Sequence, residues 1–223
     1  MSASDSAPAA LAPHEEAPML DGRLHGAVRS YDAHGQLASS MHFVHGQLHG
    51  PVELYDEAGR VRQRCAYDAG QLHGTMSLFA QGRLLAQVAY AHGRREGEMR
   101  SYDDAGELTC VVPHADGLPH GEARFLLPGG RLVRSARYAA GLLHGEARDY
   151  AADGALLASS MYMHGKKEGM QRRFLPDGTQ TEALLYHENQ PVPELAPAAT
   201  AERDTPVAAG AARRSWLARL VEG

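Results

Sequence analysis

Residues 46–74 read GQLHGPVELYDEAGRVRQRCAYDAGQLHG, and the last five letters repeat the first five. Between the two copies lie a tyrosine, an Asp-x-x-Gly loop, an alternating stretch and a second tyrosine. Glycines divide this stretch into segments too short for a helix pair and long enough for a strand and a turn. The quoted unit is therefore one β-hairpin plus the link to the next.

The same spacing runs outward in both directions. The first glycine of each motif stands at Gly22, Gly46, Gly70, Gly93, Gly117, Gly141 and Gly165, in steps of 24 with one of 23. A second glycine follows four residues later each time, from Gly26 to Gly169, and a third runs from Gly35 to Gly178. A fixed period of this length is the mark of a repeat architecture. After the second glycine come Tyr31, Tyr55, Phe79, Tyr102, Leu126, Tyr150 and Phe174. Phe43, Tyr67, Tyr90, His114, Tyr138, Tyr162 and Tyr186 close the units. Leu84, Ala86, Val88 and Tyr90 alternate as a half-buried strand does. The one short step falls in FAQGRL, where a loop tip loses a residue and strand register is kept.

Seven hairpins laid side by side predict an all-β fold, an elongated single-layer antiparallel sheet of about fourteen strands. The expected organisation is a disordered segment over 1–20, seven repeats over 21–190, a Pro/Ala-rich linker over 191–210 and a short amphipathic tail helix over 211–223. In that tail Trp216, Leu217 and Leu220 share one helical face with Arg213, Arg214 and Arg219 around it. The tail has three readings: a cap on the last hairpin, a protein-docking helix, or contact with an anionic membrane surface.

The unit resembles the MORN-repeat variant, found in proteins of the YwqK antitoxin family. The resemblance covers about residues 20–190 and rests on the sevenfold recurrence of G-x-L-H-G, Y-D-x-x-G-x-L and a closing Tyr. It implies an elongated sheet of consecutive hairpins. It also implies non-enzymatic roles: binding of partner proteins and, for YwqK-like members, neutralisation of a toxin.

The chain has 223 residues, a formal charge of −5 and 13 histidines. No global basic field exists to gather nucleic acid. No apolar run reaches the roughly 18 residues of a membrane span. The acidic N-terminus lacks a secretory pattern, so a cytoplasmic location is expected. Cys65 and Cys110 fall two repeats apart, about 19 Å, and are expected to be free packed thiols.

Before the second glycine stand His25, His49, His73, Glu96, His120, His144 and Glu168. Like positions in successive hairpins lie about 10 Å apart, too far for one metal ion to bridge. The expected role is a hydrogen bond over the turn. No nucleophile elbow, P-loop or dinucleotide fingerprint occurs. Neither catalytic residues nor a cofactor or metal site are predicted. Three residues after the second glycine come Arg100, Arg124, Arg148 and Arg172, with Tyr102, Tyr150 and Phe174 two further on. Strand parity puts both columns on one face. That face reads either as a partner-binding surface rich in hot-spot residue types or as a solvated ladder, with Glu98, Glu122 and Glu146 pairing the arginines. The expected function is a scaffold binding a protein partner, most concretely a toxin. The alternative is a peripheral membrane scaffold using residues 211–223 and the arginines.

Overall fold

A computed structural model describes residues 15–193. Among them, fourteen strands of six residues or more form one antiparallel sheet in chain order. Each repeat contributes an outgoing strand that begins within the glycine motif and a return strand after the loop. In the fourth repeat these are Arg94–Tyr102 and Leu108–Ala115. In the fifth they are Gly121–Leu127 and Arg131–Ala139. Every return strand through the sixth pairs in turn with the next outgoing strand, so no long connection crosses the sheet.

The two kinds of hairpin end differ as the sequence suggests. At the Asp-x-x-Gly end, the Gly35 amide donates to the Asp32 carbonyl at 3.0 Å. The Asp32 carboxylate accepts the amides of His34 and Gln36 at 2.9 and 2.8 Å. Asp56 and Asp103 repeat this arrangement in their own loops. The short loop of the third repeat closes instead with Gln81 and Gly82, both at positive φ, between paired Ala80 and Arg83. The missing residue thus exchanges one hairpin turn for another and leaves the strands in place.

The motif G-x-x-x-G is expected to form one connecting turn, but its two glycines do separate jobs. In the fourth repeat the turn is only His92–Gly93, with φ of 49° and 77°, between paired Ala91 and Arg94. Positive φ at both central residues is the two-residue turn that matches strand twist. The second glycine, Gly97, is already inside the outgoing strand, at φ 100°. Its partner across the hairpin is His114, and in later repeats the same slot faces Tyr138, Tyr162 or Tyr186. The closing aromatic therefore sits opposite a residue with no side chain, and the place of the missing Cβ is approached from the other neighbouring strand, by Ala89 at 3.2 Å for Gly97 and Met161 at 3.3 Å for Gly169. The register is irregular beside this glycine, between Val88 and Tyr90 in the neighbouring strand. A local bulge replaces a longer turn.

Turns also stack on one another. From the second repeat on, the amide of the first glycine donates to a carbonyl in the preceding repeat, as Gly93 does to Leu72 at 2.8 Å and Gly165 to Leu143 at 2.8 Å. The pattern reaches the expected C-terminal boundary at residue 190 and passes it by one residue. Glu188 and Asn189 take φ of 48° and 70°, and Gln190–Pro191 pairs with the last return strand. Asn tolerates the left-handed region, which explains how the turn survives without its glycine. At the other end, Glu15 and Glu16 pair with Ser30 and Arg29, and Met19–Leu20 pairs with Arg23–Leu24. Residues 15–20, expected to be disordered, thus form half a hairpin. Residues 1–14 and 194–223, which include the expected linker from residue 194 onward and the expected tail helix, lie outside the described residues.

The buried side chains are mostly small. Val28, Val52, Cys65, Val88, Ala123, Ala136 and Ala147 occupy one row of the face away from the arginines. Each buried valine contributes about 1.5–3 kcal/mol by leaving water. Cys65 and Cys110 are both free, and burial pushes both thiols up from their usual pKa.

Candidate partner-binding face

Cross-strand register puts the four arginines in a single row. Arg100 faces Val111, Val111 faces Arg124, and Arg124 faces Ser135. Ser135 faces Arg148, Arg148 faces Ser159, and Ser159 faces Arg172. Each guanidinium thus alternates with a short side chain. Val111, Ser135 and Ser159 are only 2–4% exposed, although they lie on the face that carries the charges. Long arginine stems over short neighbours account for that burial. Successive arginines stand two strand spacings apart, about 9.6 Å.

The aromatic column joins the same face through direct contacts. The Tyr102 hydroxyl donates to the Gln87 side chain at 2.9 Å, and Gln87 is the register partner of Arg100. Phe174 occupies the matching slot of the seventh repeat, opposite Gln180, and Tyr150 lies opposite Leu156.

The arginines are not equivalent. Arg100 binds Glu98 with its Nη2 at 2.7 Å, and Arg148 binds Glu146 at 2.5 Å. These carboxylates, and then Tyr102 and Tyr150, raise the two guanidinium pKa values further. Here the ladder reading holds. Arg124 and Arg172 make no such ion pair among the described residues. The reason at Arg172 is direct, because Met170 replaces the glutamate two residues earlier. In the second repeat the row is internally paired: Glu53 accepts from Arg64 at 2.7 Å and from the Tyr55 hydroxyl at 2.6 Å. The Tyr55 hydroxyl, and then Arg64, hold the Glu53 carboxyl below its usual pKa.

Two shallow hollows lie on this face. Thr75, Gln87, Ala89, Glu98 and Arg100 line the first. Glu122, Ser135, Arg137, Glu146 and Arg148 line the second. They occupy the same slots two repeats apart. The sequence reading found the arginines and aromatics but missed the interleaved Val111, Ser135 and Ser159, and it missed Arg137. Those positions belong to return strands, and the bulge beside each second glycine hides their register from simple spacing.

The histidine slot caps the next turn in the first, fourth and seventh repeats, whereas the buried His144 Nδ1 has no hydrogen-bond partner among the described residues. Glu96 accepts the Asp116 amide at 3.0 Å, and Glu168 accepts the Glu188 amide at 2.9 Å. His25 Nδ1 accepts the His45 amide at 3.5 Å in the same relation. The Glu188 amide, followed by the His187 ring, keeps the Glu168 carboxyl below its usual pKa. A second histidine position, just before the first glycine, was not singled out in the sequence. It produces edge-to-face ring pairs His25–His45, His73–His92 and His144–His164, with centroids 5.2–5.4 Å apart. Among the described residues no group of three or more His, Cys, Asp or Glu side chains is placed to hold a metal ion. Trp216, Leu217 and Leu220 lie outside the described residues.

The class this geometry defines is an open antiparallel sheet of consecutive hairpin repeats, with one face carrying ordered columns. The family model described as the MORN repeat variant matches residues 24–45. That window runs from the first outgoing strand to the next turn, and the period carries the same slots through the other repeats. No curated protein is similar enough to this chain to match it.

Proposed function

We propose that this chain is a non-enzymatic scaffold that holds a protein partner against the arginine and aromatic face of repeats four to seven. The single observation behind this reading is the row in which Arg124 and Arg172, without ion pairs, flank the neutralised Arg148. Arg and Tyr concentrate binding energy at interfaces, and a guanidinium without a carboxylate is ready for a partner's. Residues repeated at about 10 Å do not assemble into a reaction centre, whose groups need hydrogen-bond reach. A toxin is the partner class that the YwqK-like resemblance implies, which makes the chain an antitoxin or immunity protein of the cytoplasm.

The test is co-expression with a toxin gene from the chain's own genomic neighbourhood. The intact chain should rescue growth and copurify with the toxin. Arg124→Glu with Arg172→Glu should abolish both while circular dichroism stays that of the folded sheet. Absence of rescue and complex overturns the toxin assignment. Flotation with anionic vesicles instead of protein capture would favour the membrane-surface alternative.

A further inference from the structure

We infer that the face of repeats four to seven takes an extended, proline-rich, acidic segment of its partner, laid across the strands with one carboxylate at every third residue. The inference rests on the partner reading above and names the chemistry of the segment that docks.

The reason is a match of periods. Neighbouring arginines in the row are about 9.6 Å apart. A polyproline II helix rises about 3.1 Å per residue with three residues per turn, so it advances about 9.3 Å before a side chain returns to the same side. Across the three steps from Arg100 to Arg172 the mismatch sums to about 1 Å, within reach of a flexible guanidinium. A β-strand does not do this, because its third residue points to the opposite side. An α-helix returns after seven residues, about 10.5 Å, and falls out of step by nearly 3 Å over the same span.

The chemistry along the row adds a second beat. Arg100 and Arg148 are held by Glu98 and Glu146, whereas Arg124 and Arg172 make no ion pair among the described residues. The strongest carboxylate positions therefore come every second repeat, six residues apart on the segment. The two hollows fall at the alternate repeats, beside Arg100 and Arg148. The hollows themselves are lined mainly by polar and charged side chains, and the adjoining Tyr102 and Tyr150 offer the aromatic wall that proline-rich segments use. The polyproline II backbone makes no internal hydrogen bonds, so its carbonyls remain open to guanidinium donors.

Fluorescence anisotropy with the full chain tests this directly. The probe is a labelled peptide of five Pro-Pro-Glu units. The comparator has the same composition with all glutamates in one block. The periodic peptide should bind at least about tenfold more tightly, and Arg124→Ala with Arg172→Ala should remove that advantage. Arg62→Ala, on a return strand of the second repeat, should leave it unchanged. Equal affinity for the two peptides, or no binding of either, overturns the inference. The scaffold reading is judged separately, by loss of the toxin complex on charge reversal at Arg124 and Arg172.

Discussion

The two glycines of each motif should respond differently to substitution, and the fourth repeat sets the test. Gly93 has φ 77°, and a Cβ there would approach nothing nearer than the Gln71 Cβ at 3.9 Å. The chain itself places Asn189 in the equivalent slot at φ 70°. Gly93→Asn should therefore cost under about 1 kcal/mol, the difference between glycine and a residue that accepts the left-handed region. Gly97 has φ 100°, and a Cβ would lie 3.2 Å from the Ala89 Cβ. An L-residue is strained at that φ, and this alone costs about 1–3 kcal/mol. The contact with Ala89 is tighter than an ordinary van der Waals distance and adds to it. Gly97→Ala should therefore cost about 2–3 kcal/mol in total. Urea unfolding monitored by circular dichroism reads both values. Gly97→Ala should shift the midpoint clearly and Gly93→Asn barely. Equal shifts, or the reverse order, would refute the separate roles assigned to turn and bulge.

Two further outcomes follow from local geometry. Asp56 accepts the amides of Ala58 and Arg60, and the Arg60 amide in particular holds its carboxyl below the usual pKa. A depressed folded-state pKa stabilises above the unfolded value and loses that contribution as pH falls through the folded one. Asp56→Ala should thus lower the urea midpoint at pH 7, and the gap should close below about pH 4; a gap independent of pH would contradict the assignment. Ala140 occupies the first turn position at φ 48°, where alanine is strained. Ala140→Asn creates the Asn-Gly pair that this turn prefers and should raise the melting temperature by a few degrees, about 0.5–1 kcal/mol; a lower melting temperature would count against the turn type.

Much of this fold is legible in the sequence because the period writes each strand seven times. The loop at Asp56-Glu57-Ala58-Gly59 and the alternation from Leu84 to Tyr90 locate both hairpin ends without coordinates. The division of labour between Gly93 and Gly97 is not legible, since spacing alone does not distinguish a five-residue turn from a two-residue turn followed by a bulge. The terminal half-hairpins are hidden for a different reason. Asn189 stands where a glycine is expected, and Pro191 and Pro193 break the pattern after it. Near residues 15–20 the acidic, proline-containing composition suggests disorder, yet Glu15 and Glu16 take up the free edge of the first outgoing strand. On the candidate face, strand parity finds Arg124 and Tyr150. It does not reveal which arginines are already neutralised, because Glu122 and Glu146 occupy the same slot and only Glu146 closes on its arginine.

The translation that builds the sheet also limits its chemistry. Each repeat offers one copy of every slot, and equal slots are held about 10 Å apart by the strands between them. Among the described residues, groups meet within a repeat or between neighbouring repeats. Within a repeat, neighbours on one face join, as Glu98 and Arg100 do. Between repeats, different slots meet on the sheet face, as Tyr102 and Gln87 do, and at the turn edge, as His73 and His92 do. These contacts join two groups or three, as Glu53 does with Arg64 and Tyr55. A partner that spans several repeats gains from each in turn, since the second contact is made at the high effective concentration set by the first. On the proposed reading, the residues that repay such a partner are those the sheet leaves unneutralised, Arg124 and Arg172, rather than the histidines.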